Sequence, residues 1–182
     1  MQDFVILVDE NDQQIGVEEK LSAHQSGKLH RAFSILLFNK NGELLLQQRA
    51  LEKYHSPGLW TNTCCSHPRP GETNDAAAQR RLFEELGIQC KMDEIFDFIY
   101  KTSFDDGLFE HELDHVFVGE YTGDVAPNPE EVMAVRWQSL KNLYEEVNAH
   151  PERFTVWFKI MLVKIAEFKT PLSPAHAHML KL

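Results

Sequence analysis

Cys65, His24, His30, His67, Glu110 and Glu112 are the residues of this chain whose types could do chemistry together. Glu110 and Glu112 are the most pointed pair. In a strand, alternation would put both on one face about 7 Å apart, so that two long carboxylates could converge on one ion. Three imidazoles with two carboxylates suit zinc, manganese or iron(II) better than calcium. Nine histidines occur in the chain, so any one taken alone reads equally as a surface or hydrogen-bonded core residue. His111, Glu112 and His115 also spell the HExxH pattern of zinc proteases, which works only on a helix. Here the run follows Asp105, Asp106 and Gly107 and is bordered by Val116, Phe117 and Val118, which points to a strand. The two histidines would then stand about 13 Å apart and face away from Glu112, making the pattern a chance match. A second group comprises Glu72, Arg80, Arg81, Glu84 and Glu85. Its plain reading is a solvated helix face with two (i, i+4) ion pairs, Arg80 with Glu84 and Arg81 with Glu85.

The elements that must position these groups are readable from periodicity. Phe4 to Val8 and Ile15 to Lys20 read as a strand and a short return around the polar turn at Asp9 to Gln14. Ala32 to Phe38 and Glu43 to Arg49, joined by Asn39, Lys40, Asn41 and Gly42, read as an antiparallel hairpin. The period changes over Asn74 to Leu86. Ala78, Leu82 and Leu86 share one helical face there, Asn74 can cap the start and Gly87 can close the end. Ile95 to Phe104 and Leu108 to Tyr121 form a second hairpin around Asp105, Asp106 and Gly107. A short strand follows at Val132 to Trp137, with helical patterns at Leu140 to Val147 and Thr155 to Phe168. The expected class is α+β, an α/β/α sandwich with a mixed sheet, one central helix and C-terminal helices, in a single domain over residues 1–182.

The helix motif carries a family signature. Over residues 66–88, Ser66, Glu72, Arg80, Arg81, Leu82, Glu84, Glu85, Gly87 and Ile88 fall at the separations of the Nudix box, which holds divalent cations against a diphosphate. Two positions depart from it. Ser66 stands where the box opens with glycine, and Arg81 where its hydrolases carry a metal-binding glutamate. A cation there favours a phosphate contact over a metal cluster, so diphosphate binding is retained and hydrolysis is disfavoured. The stretches EKLSAH, KLHRAFS, QQRALEKYHSPGLWTNTCCSHPRPGE, RRLFEELGI and FEHELDHVF resemble, in order, the type I isopentenyl diphosphate isomerases of the Nudix superfamily.

That resemblance implies metal-dependent conversion of isopentenyl diphosphate to dimethylallyl diphosphate by a 1,3 proton shift, with Cys65 and Glu112 as the catalytic pair. It implies one tightly held divalent metal (Mn, Zn or Mg) on His24, His30, His67, Glu110 and Glu112. It also implies a magnesium that enters with the diphosphate and is held by Glu85 and the backbone carbonyl of Cys65. Lys20, Arg49, Lys53 and Arg81 would clamp the phosphate oxygens, and Tyr100 and Trp157 would contact the substrate. By periodicity alone Trp157 is a core residue of the last helix, and Cys64 is core filler. Two rivals share parts of this pattern. A Nudix hydrolase would leave Cys65 and the His/Glu set idle, and a non-catalytic metal-binding module would have no use for the basic clamp.

Bulk properties narrow the classes. A formal net charge of −10 argues against nucleic acid and anionic lipid as partners, which leaves a small-molecule substrate and a local purpose for any basic cluster. With 43% hydrophobic and 25% charged residues the chain reads as a soluble globular protein. No apolar run reaches membrane-spanning length. The N-terminal apolar run, Phe4 to Val8, resembles no targeting peptide. Three cysteines, an odd number without an export signal, point to reduced thiols in the cytoplasm. A monomer is the expected assembly.

Overall fold

The computed structural model describes residues 3–53, 55–104, 107–168 and 179. The elements follow in the order β1 (Phe4–Val8), β2 (Gln14–Glu19), α1 (Lys20–Ser26), β3 (His30–Phe38), β4 (Glu43–Arg49), β5 (Trp60–Thr61), β6 (Cys64–Ser66) and α2 (Asn74–Leu86). Then come β7 (Met92–Ser103), β8 (Phe109–Glu120), β9 (Val132–Ser139), α3 (Leu140–Ala149), a 3₁₀ turn (Pro151–Arg153) and α4 (Val156–Glu167). Among the described residues all nine strands join one mixed sheet.

The sheet is organised around β3, which is buried at all but one of its nine positions. A strand covered on both faces reads as a continuous apolar run and takes a parallel partner readily. Accordingly β3 pairs in parallel with β8 over its whole length, from His30 opposite Glu112 to Phe38 opposite Glu120. The expected β3–β4 hairpin is therefore antiparallel only at its root, where Phe38 faces Leu44. Its turn chemistry is as expected: Asn39 Oδ1 accepts from the amides of Asn41 and Glu43. Beyond the turn the strands diverge, and β4 takes β9 as its main partner. The second hairpin forms as read, with β7 and β8 antiparallel along twelve residues each; Asp105 and Asp106 of its turn lie outside the described residues.

Alternation on β3 divides two cores. Phe33, Ile35 and Leu37 pack with Leu45, Phe117 and the α2 face of Ala78, Leu82 and Leu86. Leu36 and Phe38 pack on the other side with Leu46, Val116, Val118 and the helical residues Leu143, Phe158, Met161 and Leu162. Helices thus cover both faces, as the α/β/α expectation required.

The helix α2 begins and ends where its pattern placed it, but its cap is Thr73, not Asn74. Thr73 is extended, and its side chain accepts from the amide of Ala76. Asn74 is already the first helical residue, so its side chain cannot reach the amides that need it. At the other end Gly87 adopts φ 67° and its amide reaches the Phe83 carbonyl. A Cβ there would come within 3.1 Å of Ala126 Cβ and 3.3 Å of its carbonyl oxygen. Gly87→Ala should therefore cost about 1–2 kcal/mol from the left-handed backbone alone. The check is a lowered urea midpoint with unchanged slope.

The short helix α1 and the strands β5 and β6 were not expected from periodicity. They are too short to show a period, yet they carry Lys20, His24, Cys65 and the approach to His67.

Candidate active site

Four elements bring the histidines and Glu112 together. Helix α1 carries His24, β3 opens with His30, the chain leaving β6 supplies His67, and β8 supplies Glu112 directly opposite His30. Their ligand atoms all lie within 4.8 Å of one another. His67 Nε2 is 2.9 Å from Glu112 Oε1 and His30 Nε2 is 3.5 Å from the same oxygen.

The ring orientations of His24 and His30 suit metal ligation. His24 Nδ1 donates to the Lys20 carbonyl at 2.7 Å and His30 Nδ1 to the Lys28 carbonyl at 2.8 Å. Those bonds fix the tautomers, and they leave Nε2 of both rings buried without a hydrogen bond. Backbone carbonyls that hold one ring nitrogen so that the other offers its lone pair are the usual support of metal-bound histidine. Burial pulls the His24 and His67 pKa values down, that of His67 to about 3, so both rings are neutral at neutral pH. The donor set fits a divalent cation of the borderline type.

Glu110, expected in the same set, stands one hydrogen bond away. The Tyr100 hydroxyl bridges the two carboxylates, 2.6 Å from Glu112 Oε2 and 3.1 Å from Glu110 Oε2. Their proton affinities are driven apart. Burial and the neighbouring Glu112 raise the pKa of Glu110, whereas the histidines against Glu112 lower its own despite burial. Tyr100 itself is buried and packs in the core with Phe98.

These groups open onto a cavity of about 300 Å³, whose wall includes Cys65, His67, Glu85, Glu110, Glu112 and Trp157. Lys20, Arg49, Lys53 and Arg81 line the same cavity. Four basic residues scattered through the sequence are therefore one cluster in space. Arg81 spans Glu84 and Glu85 of its own helix and reaches Glu131 at 3.3 Å, while Lys53 is hydrogen-bonded to Glu131. Glu85 is 4% exposed, with Gln47 Nε2 donating to it at 2.9 Å.

Burial and the nearby carboxylates Asp114, Glu112 and Glu110 raise the Cys65 pKa well above that of an ordinary thiol, so it carries its proton. Cys64 points the other way into the α2 core, as core filler should. Trp157 is 2% exposed in the α4 core, as its periodicity implied, and it also forms part of the cavity wall. The Arg49 guanidinium carbon lies 5.2 Å from its ring centroid.

His55, Arg69 and Glu131 also line the cavity and were not singled out from the sequence. His55 stands edge-on to Trp157 with centroids 5.5 Å apart. Its place inside the QQRALEKYHSPG stretch was the available signal. His111 and His115 lie on strand β8, so the HExxH helix does not exist.

Residues 28–158 match the NUDIX domain family, and the architecture agrees. A Deinococcus radiodurans crystal structure superposes with a TM-score of 0.75 at 18% identity, covering 89% of this chain and 98% of that one. The MutT protein from Methanosarcina mazei gives 0.63 at 20% identity, covering 76% and 94%. Such identities speak for the fold alone. Two relatives are much nearer in sequence. "Isopentenyl-diphosphate Delta-isomerase 1" of Aromatoleum aromaticum is 50% identical over 91% of this chain and 93% of its own. The "Isopentenyl-diphosphate Delta-isomerase" of Pectobacterium atrosepticum is 50% identical over 90% and 92%. The chain belongs to the NUDIX family and, within it, to the isopentenyl-diphosphate Delta-isomerases.

Proposed function

We propose that this chain interconverts isopentenyl and dimethylallyl diphosphate with Cys65 and Glu112 as its two proton-transferring groups. The observation that carries the reading is a single cavity lined both by a basic cluster that includes Lys20, Arg49, Lys53 and Arg81 and by a protonated thiol, two carboxylates of unlike proton affinity and an indole.

Lys20, Arg49, Lys53 and Arg81 hold the diphosphate, and that remote binding energy fixes the small hydrocarbon between the reacting groups. In the forward direction a proton passes to the terminal methylene carbon and positive charge develops on the tertiary carbon. Loss of a proton from the methylene two bonds from the protonated carbon, which is the neighbour of the diphosphate-bearing carbon, completes the 1,3 shift and gives the allylic diphosphate. Cys65 holds the proton to be given at Sγ, and Glu112 stands as the acceptor. Tyr100 keeps Glu112 in register with Glu110 through its hydroxyl. The indole of Trp157 stabilises the developing cation without capturing it, by about 2 kcal/mol or more in a desolvated site.

Histidines 24, 30 and 67 with Glu112, and Glu110 behind Tyr100, are the residues that would hold a tightly bound Mn, Zn or Mg ion. Glu85 and the Cys65 carbonyl would hold a magnesium brought by the diphosphate. The tight ion would keep Glu112 ionised and fixed in direction. The free thiols of Cys64, Cys65 and Cys90 suit a reducing compartment such as the cytoplasm, and a monomer is the proposed assembly.

The direct test is incubation of the protein with isopentenyl diphosphate and magnesium, scored for acid-labile allylic diphosphate and for free phosphate. Allylic product without phosphate release is expected. Phosphate release without isomerisation would mean that the Nudix helix serves hydrolysis here.

The clamp has its own pH signature. Burial, opposed by Glu85 and aided by Arg49, Arg81 and Lys20, pulls the Lys53 ammonium down to about 8. Its charge is present below that pH and lost above it. The inhibition constant of inorganic pyrophosphate should therefore rise as pH increases through about 8. Lys53→Arg, which keeps its charge, should move that rise to higher pH; an unchanged profile would take Lys53 out of the clamp.

A further inference from the structure

Strand β8 turns its odd-numbered residues away from the cavity, and there a second set of ligand-type side chains meets. Glu94 and Asp97 of β7 and His115 of β8 bring their ligand atoms within 4.8 Å of one another. Residues three apart on a regular strand point to opposite faces. A bulge between Glu94 and Phe96 removes that conflict, setting Glu94 opposite Phe117 and Asp97 opposite His115. Bulges re-aim side chains in this way where a sheet builds a site.

The imidazole is the unusual member. His115 is 5% exposed, yet Nε2 has no hydrogen bond. Asp12 Oδ2, from the β1–β2 turn, lies 3.3 Å from it outside hydrogen-bonding geometry. On the other side Nδ1 is 2.6 Å from Glu94 Oε1. Asp12 is itself held in place by Arg31, which donates to Oδ1 at 2.7 Å and to the Asp12 carbonyl at 2.8 Å. Three carboxylates thus surround one buried ring with an unsatisfied nitrogen.

We propose that Glu94, Asp97 and His115 form a second divalent-cation site, separate from the catalytic cavity, with Asp12 orienting the imidazole from behind. The ion replaces the proton that Nδ1 and Glu94 share and leaves the other proton on Nε2, 3.3 Å from Asp12 Oδ2, where a small turn of the ring completes the hydrogen bond. That is the carboxylate–histidine–metal arrangement that supports metal-bound histidines elsewhere. One imidazole and two carboxylates select a borderline ion such as Zn²⁺, Co²⁺ or Mn²⁺ over Ca²⁺. Ligands at about 2.1 Å lie at most about 4.2 Å apart across the ion, and the exposed Glu94 and Asp97 side chains are free to close that margin. Burial alone would lower the His115 pKa, but Glu94, Asp12 and Asp97 raise it; the field that holds a proton there also attracts a cation. An occupied site would tie β7 and β8 to the N-terminal hairpin, whose Asp3, Phe4 and Val5 form part of the cavity wall.

Equilibrium dialysis against Co²⁺ without diphosphate, with metal analysis and the visible d–d spectrum as readouts, tests this. The wild type should bind two ions per chain. The surface double variant Glu94→Gln with Asp97→Asn should bind one and keep isomerase activity within about twofold. His115→Gln should behave alike if it folds, and the double variant decides the matter if it does not. Equal stoichiometry in wild type and double variant would overturn the proposal and leave His115 as an ion-paired imidazolium only. His67→Gln should lose the other ion; if it keeps both, the catalytic-site assignment fails and this one stands.

Discussion

Replacing Cys65 by serine should lower kcat with isopentenyl diphosphate by about 10³-fold, within the range that a positioned acid or base contributes. KM should change only a few-fold. A thousandfold corresponds to about 4 kcal/mol of barrier. The reason is proton affinity. Burial and three nearby carboxylates keep Cys65 a thiol and weaken it as an acid, and a serine hydroxyl in that place is a weaker acid still. The diphosphate contacts come from other residues, so ground-state binding is left in place. Cys64→Ser is the control from the adjacent position. Cys64 is fully buried against α2 with Glu85 as a side-chain hydrogen-bond partner, so a serine hydroxyl there keeps a polar partner but fills its apolar surroundings less well, at a cost of about 1 kcal/mol. It should lower the melting temperature and leave kcat largely intact. Full activity in Cys65→Ser would remove the thiol from the mechanism.

Glu112→Gln should be more damaging, because one carboxylate holds two functions. Its Oε1 is the point on which His67 and His30 converge, and its Oε2 accepts from Tyr100 at 2.6 Å. An amide of the same shape keeps one acceptor but puts N–H hydrogens against either an imidazole or the tyrosine hydroxyl. It also removes the anion that balances a divalent cation and the base that takes the proton. Activity should fall by about 10⁴-fold or more, and the tightly held metal should be lost on dialysis. Glu110→Gln should be milder, since Glu110 meets the group only through Tyr100. Metal analysis separates the two functions. Retained metal with lost turnover would assign Glu112 to proton transfer alone, and lost metal with turnover restored by excess ion would assign it to ligation alone.

Local pattern settled most elements and the candidate residues. The α2 period, its left-handed Gly87 terminus, the β7–β8 alternation that puts Glu110 and Glu112 on one face, and the strand reading of His111 to His115 all depend on near neighbours. A period of 2 or 3.6 records them directly in the chain. What sequence periodicity could not give is which strands pair and what gathers between them. The parallel partnership of β3 with β8, which sets His30 opposite Glu112, joins segments about eighty residues apart and is decided by burial on both faces of the sheet. Likewise Lys20, Arg49, Lys53 and Arg81 carry no shared spacing, and only the folded chain places them around one cavity. The difference between Glu110 and Glu112 is also tertiary: neighbours in one strand, they differ because one faces two imidazoles and the other faces its own negative partner. Residue identity determined which chemistry was available, and long-range packing decided which groups could share a proton, an ion or a substrate.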